Sequence, residues 1–309
     1  MDLEVPCRER VCSAGAQWRR EEHGAQNADR GEGTMTHRDR KNVILFVATV
    51  YLVTFTLNLF IYLQGGYASA SARALVPLQM LIPAVVAVAF ILKEKGRFRE
   101  YGFRFGGLRY YLLAYLLMVG YHLLHSLLSR SLGFTEYVGL AEGFGRLAPD
   151  LQWPLWQIFI MLFVLGPVQN VIFGFGEEFG WRGFLLNKLL PGGLWYAILV
   201  SGVIWGLWHA PVVLMGHNFP ENPYLGVIIM TIAVIPLGAI FTWLRLKSGS
   251  SVVVGFAHGV LNGTVFLGGA FIPAASMLWA NPIGLLGIPL LCLIAWLLFR
   301  FFPVRLGGV

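Results

Sequence analysis

Eight apolar runs alternate with short hydrophilic joints along the chain, at 43–64, 75–92, 109–128, 155–176, 193–214, 224–244, 251–272 and 283–302. Each is close to the ~20 residues that an α-helix needs to cross ~30 Å of hydrocarbon. Backbone that enters lipid must satisfy its hydrogen bonds within the segment, and helices do so. The pattern therefore predicts an all-α, polytopic transmembrane bundle of about eight helices. Residues 1–34 break the pattern, being polar, charged and without the apolar core that a signal peptide requires. They are expected to be a disordered N-terminal extension ahead of a membrane domain at 35–309. Met35, followed at once by basic residues and the first apolar run, is an alternative start of translation.

Charge then orients the bundle. Arg38, Arg40 and Lys41 precede the first run; Lys93, Lys95, Arg97, Arg99 and Arg104 fill the second joint; Arg182 and Lys188 mark the fourth and Arg245 and Lys247 the sixth. The alternate joints are poor in Lys and Arg, so the positive-inside rule puts both termini in the cytoplasm and requires an even number of spans. Of the residues, 57% are hydrophobic and 13% charged, about half the charged share of a soluble domain, which excludes a water-soluble fold. The net charge of +7 sits in the joints and not on a basic aromatic surface, so nucleic acid is not an expected partner. Cys7, Cys12 and Cys292 are too few and too scattered for a disulfide framework or a thiolate metal site.

Ionisable residues at membrane depth are costly and point to function. Three groups qualify. Glu177, Glu178 and Arg182 follow the fourth run, and the four-residue spacing lets Glu178 pair with Arg182 on one helix face, leaving Glu177 freer. His209 lies in the fifth run, four residues after Trp205. His258 and Asn262 share a face of the seventh. A carboxylate with imidazoles is the equipment for activating water, and an asparagine amide is a donor for the oxyanion formed when water attacks a carbonyl. His122 and His125 form a rival pair in the third run but lack a carboxylate on the same run; His23, His37 and His217 fall in polar segments and are expected to be solvated.

The ordered set Glu177-Glu178-x-x-x-Arg182, an aromatic residue four before His209, and His258-x-x-x-Asn262 resembles the three motifs of the CAAX protease and bacteriocin-processing (Abi) family, the type II CAAX prenyl endopeptidases. The resemblance covers roughly 155–265, and Trp205 stands where that family usually has phenylalanine. It implies an eight-helix intramembrane bundle with a cavity facing the cytoplasm, and a multi-pass protein of a prokaryotic cell membrane. It also implies an endopeptidase acting on membrane-associated peptides or proteins. In that reading Glu177 and His209 activate a water, Glu178 and Arg182 support the site, and His258 and Asn262 bind the scissile carbonyl or oxyanion. Zn2+ held by Glu177, His209 and His258 would suit an open catalytic site, as two histidines and one carboxylate do elsewhere. A metal-free mechanism would use the same residues.

Two other classes compete. Intramembrane Glu, His and Arg also build transporters and channels, though no inverted repeat of interrupted helices is visible. A non-catalytic immunity or binding protein would have no need of the complete set. Convergence also has a geometric condition: at 1.5 Å per residue Glu177 lies ~16 Å from Lys188, whereas His209 lies ~24 Å beyond Gly193. The fifth helix must then start in the cytoplasm or tilt strongly.

Overall fold

The computed structural model describes residues 34–147 and 153–304, so that the N-terminal extension lies, but for Thr34, outside it. Eight helical passages follow one another: α1 (His37–Leu63), α2 (Ala70–Lys93), α3 (Leu108–Ser131), α4 (Leu155–Gly192), α5 (Leu194–Trp208, continued as Ala210–Leu214), α6 (Pro223–Ser248), α7 (Ser251–Thr264) and α8 (Gly287–Phe301). Five of them (α1, α2, α3, α4 and α6) are long and apolar enough to cross a membrane by themselves. The chain is a multi-pass, all-α membrane bundle, as the eight apolar runs predict.

Glycine decides how closely its central helices approach. In lipid there is no hydrophobic drive to bring helices together, so small residues that admit close backbone contact carry the association. Gly255, Gly259 and Gly263 recur every fourth residue along α7 and meet α4 directly. A Cβ at Gly255 would lie 2.5 Å from Phe175 Cα, one at Gly259 would lie 2.7 Å from the nitrogen and Cα of Val171, and Gly263 abuts Gly166 and Pro167. From the α4 side, a Cβ at Gly174 would lie 2.8 Å from the Gly259 nitrogen. Another face of α4 receives the break in α2, where Gly176 faces Met80 and Gly180 faces Pro83. Likewise Gly202 and Gly206 of α5 admit Ile235 and Thr231 of α6.

Two boundaries differ from the sequence expectation. The fourth run does not stop at 176, because α4 continues through two π-helical turns, Met161–Leu165 and Phe179–Leu185, to Gly192. Arg182 and Lys188, which read as joint residues, are therefore helical. Lys188 Nζ ties α4 to Asp39 Oδ1 of α1 at 3.1 Å and to Glu94 Oε2 beside α2 at 2.7 Å. The seventh run is helical only to Thr264; a 3-10 segment Val265–Ala270 and a short strand Phe271–Pro273 complete it. That strand pairs antiparallel with Thr135–Tyr137, a small exception to the all-helical plan. The start of α7 is the expected one, at Ser251, and it is capped: the Ser250 hydroxyl accepts from the nitrogens of Val252 at 3.1 Å and Val253 at 3.2 Å.

His217, read as solvated, is instead held between loops: its Nδ1 lies 2.6 Å from the Tyr67 hydroxyl, and burial pushes its pKa down to about 4. The folded protein thus binds this proton less readily than the unfolded chain, whose histidine titrates near 6.5. The stabilising effect is complete above pH 6.5 and declines as pH falls from there toward 4. Thermal unfolding of the detergent-solubilised protein should show a midpoint that falls over this window. His217→Gln should flatten the dependence.

Candidate active site

The length of α4 meets the geometric condition on the site. Because α4 and α5 are joined by the tight turn at Gly192–Gly193, they run antiparallel as a hairpin. Glu177 stands 15 residues before Gly192 and Trp205 stands 12 after Gly193, depths of about 22 and 18 Å along the two helices. The two residues touch: the Trp205 Nε1–H donates to Glu177 Oε2 at 2.6 Å.

From α4 come three charged side chains with almost no exposure, Glu177 (2%), Glu178 (0%) and Arg182 (1%). Burying any of them alone would cost several kcal/mol. The cost is met by pairing: Arg182 Nη1 donates to Glu178 Oε1 at 3.0 Å, the four-residue pair the sequence predicts. His258, from α7, donates through Nδ1 to the same oxygen at 2.9 Å. The Cζ of Arg182 also lies over aromatic rings, 4.1 Å from the Trp205 centroid and 5.4 Å from that of Phe241. Its place exists because residue 238 is glycine, where a Cβ would come within 2.7 Å of Arg182 Nη2.

Trp205 connects the rest. Besides its indole bond to Glu177, its carbonyl oxygen accepts from His209 Nδ1 at 2.8 Å. Its ring centroid lies 5.7 Å from those of both His209 and His258. Since a carbonyl only accepts, the His209 proton sits on Nδ1, and the lone pair of the neutral ring is on Nε2. With His258 donating through Nδ1 to Glu178, its Nε2 is likewise the nitrogen not used by the protein. Glu177 has one oxygen on Trp205 and its other free of side-chain bonds among the described residues.

Five of the six predicted site residues, Glu177, Glu178, Arg182, His209 and His258, thus gather round one indole. Asn262 lies one turn beyond His258 on α7, half-buried, with no hydrogen bond to the other five among the described residues. His122 and His125 belong elsewhere: both are buried on α3, and His122 Nδ1 lies 2.9 Å from Thr264 Oγ1. Thr264 in turn donates to the Val260 carbonyl, so that bond secures the end of α7. Trp205, Phe241 and Gly238 are the members that sequence reasoning did not select. Only Trp205 carried a signal, its spacing of four from His209.

A zinc held by Glu177, His209 and His258 requires three donors around one point. Among the described residues no three His, Cys, Asp or Glu side chains are grouped in that way. The Trp205 indole takes one Glu177 oxygen and packs against both imidazoles.

Comparison with known proteins agrees with the geometry. The family model described as "Type II CAAX prenyl endopeptidase Rce1-like" matches residues 151–264, the stretch that contains α4 to α7 and every residue of the site. The CAAX prenyl protease 2 of Methanococcus maripaludis is 24% identical over 233 residues, covering 69% of this chain and 81% of that protein. Residues 151–264 are thus similar to the type II CAAX prenyl endopeptidases, and the chain over 233 residues to a CAAX prenyl protease.

Proposed function

We propose that the protein hydrolyses peptide bonds near the ends of membrane-associated peptides by a water activated between Glu177 and His209. The observation that carries this reading is the double use of Trp205, whose indole N–H orients Glu177 and whose carbonyl fixes the His209 tautomer. In the addition step the water oxygen bonds to the scissile carbonyl carbon and gives its proton to Glu177. Collapse of the adduct breaks the C–N bond, and Glu177 returns the proton to the departing amine. His209 Nε2 accepts a hydrogen bond from the attacking water and holds its lone pair toward the substrate. The oxyanion is met by the Asn262 amide, a fixed donor of the kind that lowers such barriers. Glu178, pinned by Arg182 and His258, keeps α4 and α7 in register. No step in this scheme needs a metal.

Prenylated CAAX peptides are the proposed substrates, by likeness to the Methanococcus protein, which is named a CAAX prenyl protease. Purified protein in liposomes should cleave a lipid-anchored peptide of this kind, and at an unchanged rate after exhaustive chelation. Loss of activity on chelation, restored by added zinc, would replace the metal-free scheme.

The termini are proposed to face the cytoplasm, on the alternation of Lys and Arg between joints. Reporter fusions after Arg104 and Lys247 should read cytoplasmic and one after Asn218 external. A cytoplasmic signal at Asn218 would reverse the orientation.

A further inference from the structure

Away from the site, a cavity of about 650 Å³ opens between the start of α1, the α4–α5 turn and the first half of α5. That is the size of a ligand pocket, ~300–1,000 Å³. Two helix faces build its walls. On α1, Arg40, Val43 and Ile44 are spaced i, i+3 and i+4, which puts them on one side of the helix. On α5, Tyr196 and Val200 are four apart and share a face in the same way. Polarity changes with depth. Arg40 stands at the start of α1, at the level of the α4–α5 turn, because Asp39 beside it reaches Lys188, four residues before Gly192. Val43 and Ile44 lie a turn further in, and Val200 is eight residues, or about 12 Å, beyond Gly192 along α5. The groove is therefore cationic at its mouth and apolar along its length. It is open to the surroundings, since Ile44 is 67% and Tyr196 47% exposed.

No carboxylate neutralises the mouth. Arg40 forms no ion pair among the described residues. The nearby Asp39 is committed to Thr36 and Lys188, and Glu94 to Lys188 and Asn42. Arg38 and Lys41 flank Arg40 in sequence and add positive potential. Basic recesses between membrane helices take anionic lipid headgroups, and tyrosine is a residue of the same interfacial level. A soluble anion would use the guanidinium but not the apolar length below it; a phospholipid presents a phosphate and then acyl chains in the order the groove requires. We propose that this groove binds one anionic phospholipid, with its phosphate on Arg40 and an acyl chain along Ile44, Tyr196 and Val200. The bound lipid holds α1 against the α4–α5 hairpin that carries Glu177 and Trp205.

Lipid binding here is independent of peptide cleavage and is tested without it. The full-length protein in a neutral detergent would be titrated with dioleoyl phosphatidylglycerol or dioleoyl phosphatidylcholine, and bound lipid counted by native mass spectrometry. The first phosphatidylglycerol should bind wild type about tenfold more tightly than the first phosphatidylcholine, as a charge-assisted hydrogen bond to one charged group warrants. Arg40→Gln should bring the ratio to about one, and Arg40→Lys should keep part of it. Arg40 is exposed, so these substitutions leave the fold in place. Lys41→Gln, the next residue but outside the groove, should leave the ratio unchanged. Val200→Trp, which fills the apolar end, should weaken phosphatidylglycerol binding although the charge remains. Thermal unfolding of wild type, and not of Arg40→Gln, should shift upward as phosphatidylglycerol is added. A ratio of one in wild type overturns the proposal. Equal losses in Arg40→Gln and Lys41→Gln also overturn it, by reducing the attraction to diffuse surface charge. Displacement of the bound lipid by an equal concentration of glycerol 3-phosphate would give the site to a soluble anion, and displacement by a synthetic peptide of residues 1–33 would give it to the chain's own extension. Either result sinks the lipid assignment.

Discussion

Glu177→Gln should lower kcat by about 10³-fold to 10⁴-fold while leaving the protein folded, because glutamine keeps the acceptor that Trp205 needs but cannot take a proton from water. The substitution is close to isosteric, and the Trp205 Nε1–H still finds an oxygen at the position of Glu177 Oε2. Leaving a buried N–H unsatisfied would confuse the result with a folding defect, and the amide avoids that. Glu178→Gln should behave differently. It removes the negative charge that both Arg182 and His258 address, leaving a guanidinium that is 1% exposed without its anion. Breaking a buried pair from one side costs about 3–5 kcal/mol, so this variant should lose thermal stability as well as activity. The measurement is peptide cleavage in liposomes beside thermal unfolding in detergent for both variants. Glu177→Gln within about threefold of wild-type kcat would remove Glu177 as the proton acceptor.

The two glutamates also show how much the sequence alone disclosed. Periodicity and hydropathy gave the eight passages because the bilayer imposes one length on every span, and spacing gave the Glu178–Arg182 pair because neighbours on a helix face recur every fourth residue. The end of the fourth run was misjudged for a physical reason. Glu177, Glu178, Arg182 and Lys188 lower the local hydropathy, yet Glu177, Glu178 and Lys188 are bonded by side chains from outside α4 and Arg182 packs on Trp205 and Phe241, and such partners are invisible in a linear window. His217 was misread in the same way, since Tyr67, 150 residues away, supplies its environment. Arg245 looked like a topology signal, and only packing reveals that it is buried. Trp205 was legible as an aromatic at a fixed spacing. Its roles as donor to Glu177 and acceptor from His209 depend on how α4 and α5 fold back on each other, which no local pattern encodes.

The same limit applies to the glycines of α7, and from them follows the largest expected effect on stability. Glycine normally weakens a helix by about 1 kcal/mol relative to alanine, so on propensity alone Gly259→Ala would stabilise α7. At this position the tertiary contact reverses the sign. The new Cβ would stand 2.7 Å from the backbone nitrogen and Cα of Val171, and a backbone cannot swing aside as a flexible side chain can. Gly255 and Gly263 repeat the contact one turn to either side, so α7 has no neighbouring slack to absorb the displacement. Overpacking costs typically 1–3 kcal/mol and more where nothing can yield; Gly259→Ala should therefore cost about 3 kcal/mol and Gly259→Leu should prevent folding. Because His258 precedes Gly259 and reaches Glu178 across this same contact, any separation of α7 from α4 lengthens the 2.9 Å bond between them, and activity should fall with stability. Gly120→Ala is the control: Gly120 is an exposed glycine on α3 with no neighbouring atom within 4 Å of its Cβ position, and alanine there should be neutral or stabilising by up to about 1 kcal/mol. Size-exclusion profiles and thermal unfolding of the three variants in detergent read the difference. Equal behaviour of Gly259→Ala and Gly120→Ala would mean that α7 and α4 are not in backbone contact.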